Sequence, residues 1–266
     1  MTAPTPFPSY RTRYLPAMTV EQIAALPDKA WAPVIIATGA IEQHGPHLPV
    51  AVDALIGETM VAMAIDRLPP GASCYVAPPI TIGKSNEHTG FPGTLMISKQ
   101  TLRSLLLVIA RQVHAWGFKS IAIINTHGGN TAVLTYTLRE IQATLGLRAE
   151  FLNAGVQLEI SPREKAFGYH ANEVETAWLL ALVERHVRFH RAVCDYAGDI
   201  TDSPLLRAEQ SIATFAWTSQ DLSESGVMGD ATAGTAEKGR RWLPQVGQGF
   251  ADAIAKLNRE LASTAS

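Results

Sequence analysis

The chain is poor in cysteine and charge, and it has no long uninterrupted apolar run. Its two cysteines, Cys74 and Cys194, stand far apart and form no Cys-x-x-Cys unit, which excludes a thiolate-built structural zinc. They read equally well as two buried thiols in a reducing compartment. Charged residues make up only 17% of the 266 residues, and a formal net charge of −2 leaves no basic field to hold a nucleic acid or an anionic membrane. A small-molecule substrate is therefore expected. The most apolar helical stretch, from Leu105 to Ala110, is bounded by Arg103 and Arg111 and falls well short of the ~20 residues that span a bilayer. No glycine-rich phosphate loop with its lysine is present. Residues 1–16 carry Pro4, Pro6, Pro8 and Pro16 and lack a signal peptide's apolar core, so they are expected to form an extended arm, with the cytoplasm as the expected location.

With 47% hydrophobic residues, the remainder, 17–266, is long enough for one α/β domain with a substantial core. Val34 to Thr38, Cys74 to Ile80, Ser120 to Asn125 and Arg148 to Asn153 read as strands. Between them, Ala54 to Leu68 reads as a helix capped by Asp53 and stopped by Pro69-Pro70-Gly71. Ser98 is placed to cap a helix whose Leu102, Leu105, Leu106, Ile109, Val113 and Trp116 share one face, with Gly117 ending it. Asn130 is placed to cap Thr131 to Leu145. This βαβα rhythm predicts a mainly parallel sheet covered by helices on both faces, with ligands bound beyond the carboxyl ends of the strands. Ala154 to Tyr169 is expected to be a loop over the site, followed by a helix from Glu173 to about Arg185. Ser219 to Gly239 is expected to be a lid or an oligomer contact, leading into a helix that ends near Leu261.

Two of the post-strand loops carry metal-type donors. Glu42 and His44 sit two residues apart after the first strand, so in extended chain they leave the same face. Asp53 stands at a predicted helix start and His127 follows the third strand. Two carboxylates and two imidazoles suit Zn, Mn or Fe, and an Asp between two cations can bridge them. A bridged pair makes water nucleophilic near neutral pH, the chemistry of a hydrolase. His47 has no such companion and reads as a supporting or exposed histidine. Gly128 and Gly129 allow close backbone approach to a ligand at a strand-to-helix turn. Ser85, Glu87 and His88 fall in a loop on the same edge and are candidates for substrate contact, although spacing alone does not separate this from a plain polar loop. His170, Asn172, Glu173 and Glu175 open a helix. Capping by Asn172 with acids in the first turn accounts for them, and so does a fifth ligand from one carboxylate with His170 as proton donor.

Five segments together resemble the creatininase family of metal hydrolases: Gly39 to Pro49, Asp53, His88 to Thr94, Asn125 to Asn130, and His170 to Thr176. The resemblance implies a three-layer αβα sandwich and two divalent ions per chain. Glu42 and His127 would hold one, His44 the other, and Asp53 would bridge them, with His170 in proton transfer. It also implies a homo-oligomer, often a hexamer. Family activities include opening of a cyclic amide, removal of a formyl group, hydrolysis of an inositol-derived ketone and trimming of a peptide in mycofactocin maturation. Creatinine-hydrolysing members resemble an Asn-Gly-His-Tyr-Glu-Asn pattern, so their carboxylate ligand is Gly129 here. Glu173 is expected to fill that place, with Glu175 its rival and otherwise catalytic beside His170. Their tryptophans have no counterpart in residues 154–171, so creatinine is not the expected substrate. A two-metal phosphoesterase is disfavoured because no arginine or lysine cluster adjoins the ligands, and a non-catalytic metal-binding member because the full donor set and His170 are present. The expected activity is hydrolysis of a non-peptide C–N bond, of the cyclic amide or formamide type.

Overall fold

The computed structural model describes residues 7–196, 206–209 and 213–265. Four parallel strands form the central sheet: β1 (Val34–Thr38), β2 (Tyr75–Val76), β3 (Ser120–Asn125) and β4 (Arg148–Phe151), in the order β2-β1-β3-β4. The continuous apolar runs of β1 and β3 are buried on both faces, as a sheet between two helical layers requires. Alternation along each strand divides the core. Val34, Ile36, Ile121 and Ile123 face one side, where α3 (Lys99–Ala115) contributes Leu102 and Leu106, and α4 (Thr131–Leu145) contributes Leu134 and Ile141. Ile35, Ala37, Ala122 and Ile124 face the other, covered by α2 (Val52–Asp66), α6 (Glu173–Val183) and α8 (Ala236–Ala265). The architecture is the expected three-layer αβα sandwich. The shorter elements are α1 (Val20–Ala24), α5 (Pro162–Phe167), α7 (Ser219–Leu222), and the two-residue strand pairs β5 (Cys194–Asp195) with β8 (Gly229–Asp230) and β6 (Leu206–Arg207) with β7 (Ala213–Thr214). Among the described residues no helix is long and apolar enough to cross a membrane.

Several local expectations need correction. α2 begins one residue before Asp53, with Ala51 at its N-cap, so Asp53 sits inside the first turn and its carboxylate does no capping. Asn130 occupies a cap position without capping. Its side chain accepts from Lys84 N (2.9 Å) and donates to Gly39 O (3.0 Å), tying three loops of the strand edge together. Ser98 does cap α3, accepting from Thr101 N, but Leu105 and Trp116 are exposed because the buried stripe runs through Leu102, Leu106, Ala110 and Val113. The second strand is only two residues long, followed by a single bridge from Thr38 to Ile80. Cys74 is buried but Cys194 is exposed. The first six residues of the expected arm lie outside the described residues; beyond them, Tyr10 and Leu15 are buried in the two core layers and Val76 N donates to Arg13 O.

The chain leaves β1 toward β2 on one side and later returns through β3 on the other. That change of direction opens a crevice between the carboxyl ends of β1 and β3. Thr38 and Asn125 close its floor, with the Thr38 hydroxyl donating to Asn125 Oδ1 at 2.9 Å.

Candidate metal centre

Glu42 and His44 emerge above β1, His127 above β3, and Asp53 from the first turn of α2 between them, so the switch in strand order gathers all four. All are buried. Glu42 Oε1 lies 3.2 Å from His127 Nδ1, which lies 3.4 Å from Asp53 Oδ2. Asp53's other oxygen, Oδ1, lies 3.4 Å from His44 Nε2, which is 3.8 Å from Glu175 Oε1. Ligands about 2.1 Å from a common tetrahedral ion stand about 3.4 Å from one another, so these separations fit donors arranged around cations. Glu42 Oε2, His44 Nε2, Asp53 Oδ2 and Glu175 Oε2 are all buried and find no hydrogen-bond partner among the described residues. An orphaned buried acceptor costs about 1–3 kcal/mol, more when charged, and four converging in one pocket are the signature of a cation-binding cradle.

The histidines are oriented from behind. His127 Nε2 donates to Lys84 O (3.1 Å), which turns Nδ1 toward Glu42 and Asp53. His44 Nδ1 donates to Glu42 O (3.1 Å), which leaves Nε2 bare toward Asp53 and Glu175. Each backbone acceptor selects the tautomer a ligand needs. Burial works against charge on these rings, yet Asp53, with Glu175 at His44 and Glu42 at His127, raises both pKa values well above the usual imidazole value. Burial likewise works against the Glu42 carboxylate, but hydrogen bonds from His127 and His88 hold it well below the usual range.

Proton release on ion uptake follows. Cations must displace the protons that His44 and His127 carry, so affinity is expected to fall as pH drops below those raised values, by up to about tenfold per pH unit for each proton released. In chelator-stripped protein the same two shifts add stability that is fully present below the ordinary imidazole value and lost as pH rises through the raised ones. Calorimetric titration in buffers of different ionisation heat measures the released protons; uptake without release would contradict the coupling.

Among the other expected site residues, Glu173 is not brought into the cluster. It is buried at the start of α6 with its carboxylate paired to Lys238 Nζ, whereas Glu175, two residues on, faces His44. Two residues, just over half a helical turn, put the two carboxylates on opposite sides of the helix, and spacing alone does not decide which side faces the site. Asn172 caps that helix, accepting from Val174 N and Glu175 N, and Ala171 before it holds a φ of +50°. His170 lies between His44 and His88, ring centroids 4.3 and 4.2 Å away, with Nδ1 3.7 Å from Glu42 Oε1. Burial and then the flanking His44 and His88 rings push its pKa well below the usual value. His88 is buried with Nε2 3.3 Å from Glu42 Oε1. Ser85 is buried behind His127, its hydroxyl 3.3 Å from Nε2, and does not line the cavity. His47 is buried against the Thr176 hydroxyl, 2.8 Å away.

Glu87, His88, Gly128 and Gly129 border a cavity of about 370 Å³ above Glu42, His127 and His170. Its outer wall holds Tyr169, Glu209 and Trp217, with the Tyr169 and Trp217 rings 5.7 Å apart. Sequence reasoning missed these three, and Trp217 in particular lies in a stretch with no periodicity. The segment expected as a lid or an oligomer contact packs on its own chain: the Ser219 hydroxyl lies 2.6 Å from His88 Nδ1, and Met228 exchanges backbone hydrogen bonds with His170. Gly129 has no room for a side chain, since a Cβ there would lie 2.0 Å from Glu87 Oε1 and 2.5 Å from both His127 Nε2 and Lys84 O. A backbone carbonyl cannot swing aside, so Gly129→Ala is expected to displace His127 and weaken ion binding roughly 10–100-fold, read by competition with a chromogenic chelator. Unchanged affinity would remove His127 from the ligand set.

A family model described as creatinine amidohydrolase matches residues 16–254. The chain belongs to the creatininase family. It is 32% identical over 226 residues to the mycofactocin precursor peptide peptidase of Mycolicibacterium smegmatis, covering 84% of each chain. It is 26% identical to the 3-dehydro-scyllo-inosose hydrolase of Thermotoga maritima, covering 93% of this chain and 83% of that one. A solved structure of a mutant creatininase complexed with creatine superimposes with a TM-score of 0.75 at 20% identity, covering 92% of this chain and 98% of that one. Membership makes the protein a hydrolase, and the fold agrees with the creatininase sandwich. The candidate metal groups of this creatininase-family chain are Glu42-Asp53-His127, His44-His170-Glu175 and Glu42-His88-His170.

Proposed function

We propose that the protein is a two-metal amidohydrolase that cleaves the carbon–nitrogen bond of a carbonyl substrate. Asp53 carries the reading, because its two oxygens address different histidines, with Glu42 beside one and Glu175 beside the other. Glu42, His127 and Asp53 would hold one ion, and His44, Glu175 and Asp53 the second, which assigns the fifth ligand to Glu175 rather than Glu173. The mixed oxygen and nitrogen donors suit Zn, with Mn or Fe as alternatives. Bound there, two such cations supply a water acidic enough to attack near neutral pH and an electrophile for the carbonyl oxygen.

The chain's own residues do the rest. His170 donates Nε2–H to Gln43 O at 2.7 Å, so its Nδ1 is bare toward the centre and placed to take a proton and return it to the departing nitrogen. Tyr169 and Trp217 flank the cavity and exclude water. Glu87 with the backbone at Gly128 and Gly129 orients the substrate, while Ser85 supports His127 from behind. The cavity volume suits a small molecule. Assembly into a homo-oligomer, a hexamer, belongs to the same reading and is tested by light scattering.

A second reading of the substrate, a short peptide, is favoured by the similarity to the mycofactocin precursor peptide peptidase. Zinc-loaded protein assayed against lactams, formamides and short peptides separates the two. Amine release from any of them supports the amidohydrolase reading and identifies its branch. Hydrolysis confined to phosphate esters or to carbon–carbon bonds would overturn it.

A further inference from the structure

Gln43 stands between Glu42 and His44 in the chain, yet its buried side chain builds a network of its own. Oε1 accepts from Gly45 N at 2.9 Å, which fixes the orientation of the amide. Nε2 then lies 2.9 Å from His88 Nδ1, 2.9 Å from His170 Nε2 and 3.0 Å from Gly226 O. Three neighbours compete for two amide protons. Gly226 O can only accept, so it takes one. His170 Nε2 is closer still to a pure acceptor, Gln43 O at 2.7 Å, and must carry a proton of its own to use it. The second amide proton therefore goes to His88 Nδ1, which also faces the Ser219 hydroxyl at 2.6 Å. With Nδ1 accepting, His88 carries its proton on Nε2 and donates it to Glu42 Oε1, 3.3 Å away.

We infer that Gln43 is a positioning residue that sets the tautomers of both histidines: its main-chain carbonyl leaves His170 Nδ1 bare toward the reaction centre, and its side-chain amide makes His88 a donor that steadies Glu42. The role given to His170 rests on the amidohydrolase reading; the tautomer assignment does not. The same amide grips the segment over the site. Gly226 holds a φ of +77°, and a Cβ there would lie 2.1 Å from Gln43 Oε1, so this turn is moulded against the glutamine.

Long-range proton–nitrogen correlation spectra of zinc-loaded protein with ¹⁵N-labelled histidine read the tautomers directly. In the wild type, His88 and His170 are both expected in the Nε2–H form. In Gln43→Glu a carboxylate that only accepts replaces the donor, so His88 is expected to gain a proton on Nδ1 while His170, held by the backbone, keeps its form. A His88 signal unchanged in that variant overturns the inference, whatever the activity. Gln43→Met fills similar volume without the amide and serves if Gln43→Glu does not fold. There the His88 signal is expected to leave the pure Nε2–H form, and an unchanged signal is equally fatal. A merely structural glutamine would lower the melting temperature and leave both ring signals alone. Once a substrate is in hand, kcat is expected to fall 10–100-fold with KM within about threefold and zinc content unchanged. An unaltered kcat in a variant whose tautomer has changed overturns the catalytic purpose of the arrangement. If the amidohydrolase reading fails instead, the spectra still decide the tautomers.

Discussion

Asp53→Ala is expected to remove both of the proposed ions and to lower turnover on the order of 10⁴-fold or more, while the protein stays folded. The loss is large because one carboxylate faces both His127 and His44, each oxygen 3.4 Å from a ring nitrogen, so no other side chain can replace either half. The fold survives because the side chain's pairing with the protonated His44 and His127 is offset by the cost of burying its charge, and that pairing is lost as pH rises through the raised imidazole values. Asp53 Oδ2 has no hydrogen-bond partner among the described residues, the helix it stands in is not capped by it, and the contact that anchors this turn, the Thr126 hydroxyl donating to Asp53 O at 2.7 Å, uses the backbone. Deleting a buried carboxylate also relieves a desolvation cost, so chelator-stripped Asp53→Ala is expected to melt within a few degrees of chelator-stripped wild type. Elemental analysis on protein purified without chelator, with steady-state kinetics and a melting curve, measures all three quantities. About two ions per chain in the wild type and none in the variant is the expected pattern. Retained ions and activity would dismiss the bridging role.

His170→Asn is expected to lower kcat roughly 10²–10⁴-fold and to leave the ion content unchanged. Here the expected defect is in proton transfer rather than in binding. The ring is buried between His44 and His88, its Nε2 is committed to Gln43 O, and Nδ1 is the atom left toward Glu42. Asparagine keeps a polar side chain of smaller volume but cannot cycle a proton, so the Michaelis constant should move little. Ion content distinguishes this role from the alternative that His170 is itself a ligand, as its place in the His44-His170-Glu175 group permits. Loss of one ion per chain in the variant would assign it to the metal. Full activity with both ions present would free it of either role.

The sheet was legible in advance where the strands are long and apolar on both faces. Val34–Thr38 and Ser120–Asn125 run as expected because four or five consecutive β-branched and small residues, Val34 to Thr38 and Ile121 to Ile124, have no other stable place than between two helical layers. Short elements were less legible. The strand expected from Cys74 to Ile80 is two residues plus a bridge, and Pro78 and Pro79, which lack amide protons, interrupt its ladder. Helix faces were misjudged for the same kind of reason. Leu105 and Trp116 satisfy a periodic pattern, yet which part of an apolar stripe is covered depends on the angle at which α3 meets the sheet.

By itself the sequence determined the layered α/β class, the family, and the donor types that β1, β3 and α2 would carry to one edge. These are properties of runs and spacings, written within short stretches of chain. Only the tertiary structure decided what depends on distance between stretches far apart. It turned Glu175 rather than Glu173 toward His44, because Lys238 of the last helix claims Glu173. It set Ser85 behind His127 and brought Tyr169 and Trp217 together at the cavity wall. It folded the segment with Ser219 and Gly226 back onto His88 and Gln43 of its own chain. A carboxylate's role follows from which charge lies within about 4 Å of it, and in a chain folded around a switch in strand order that neighbour stands many residues away.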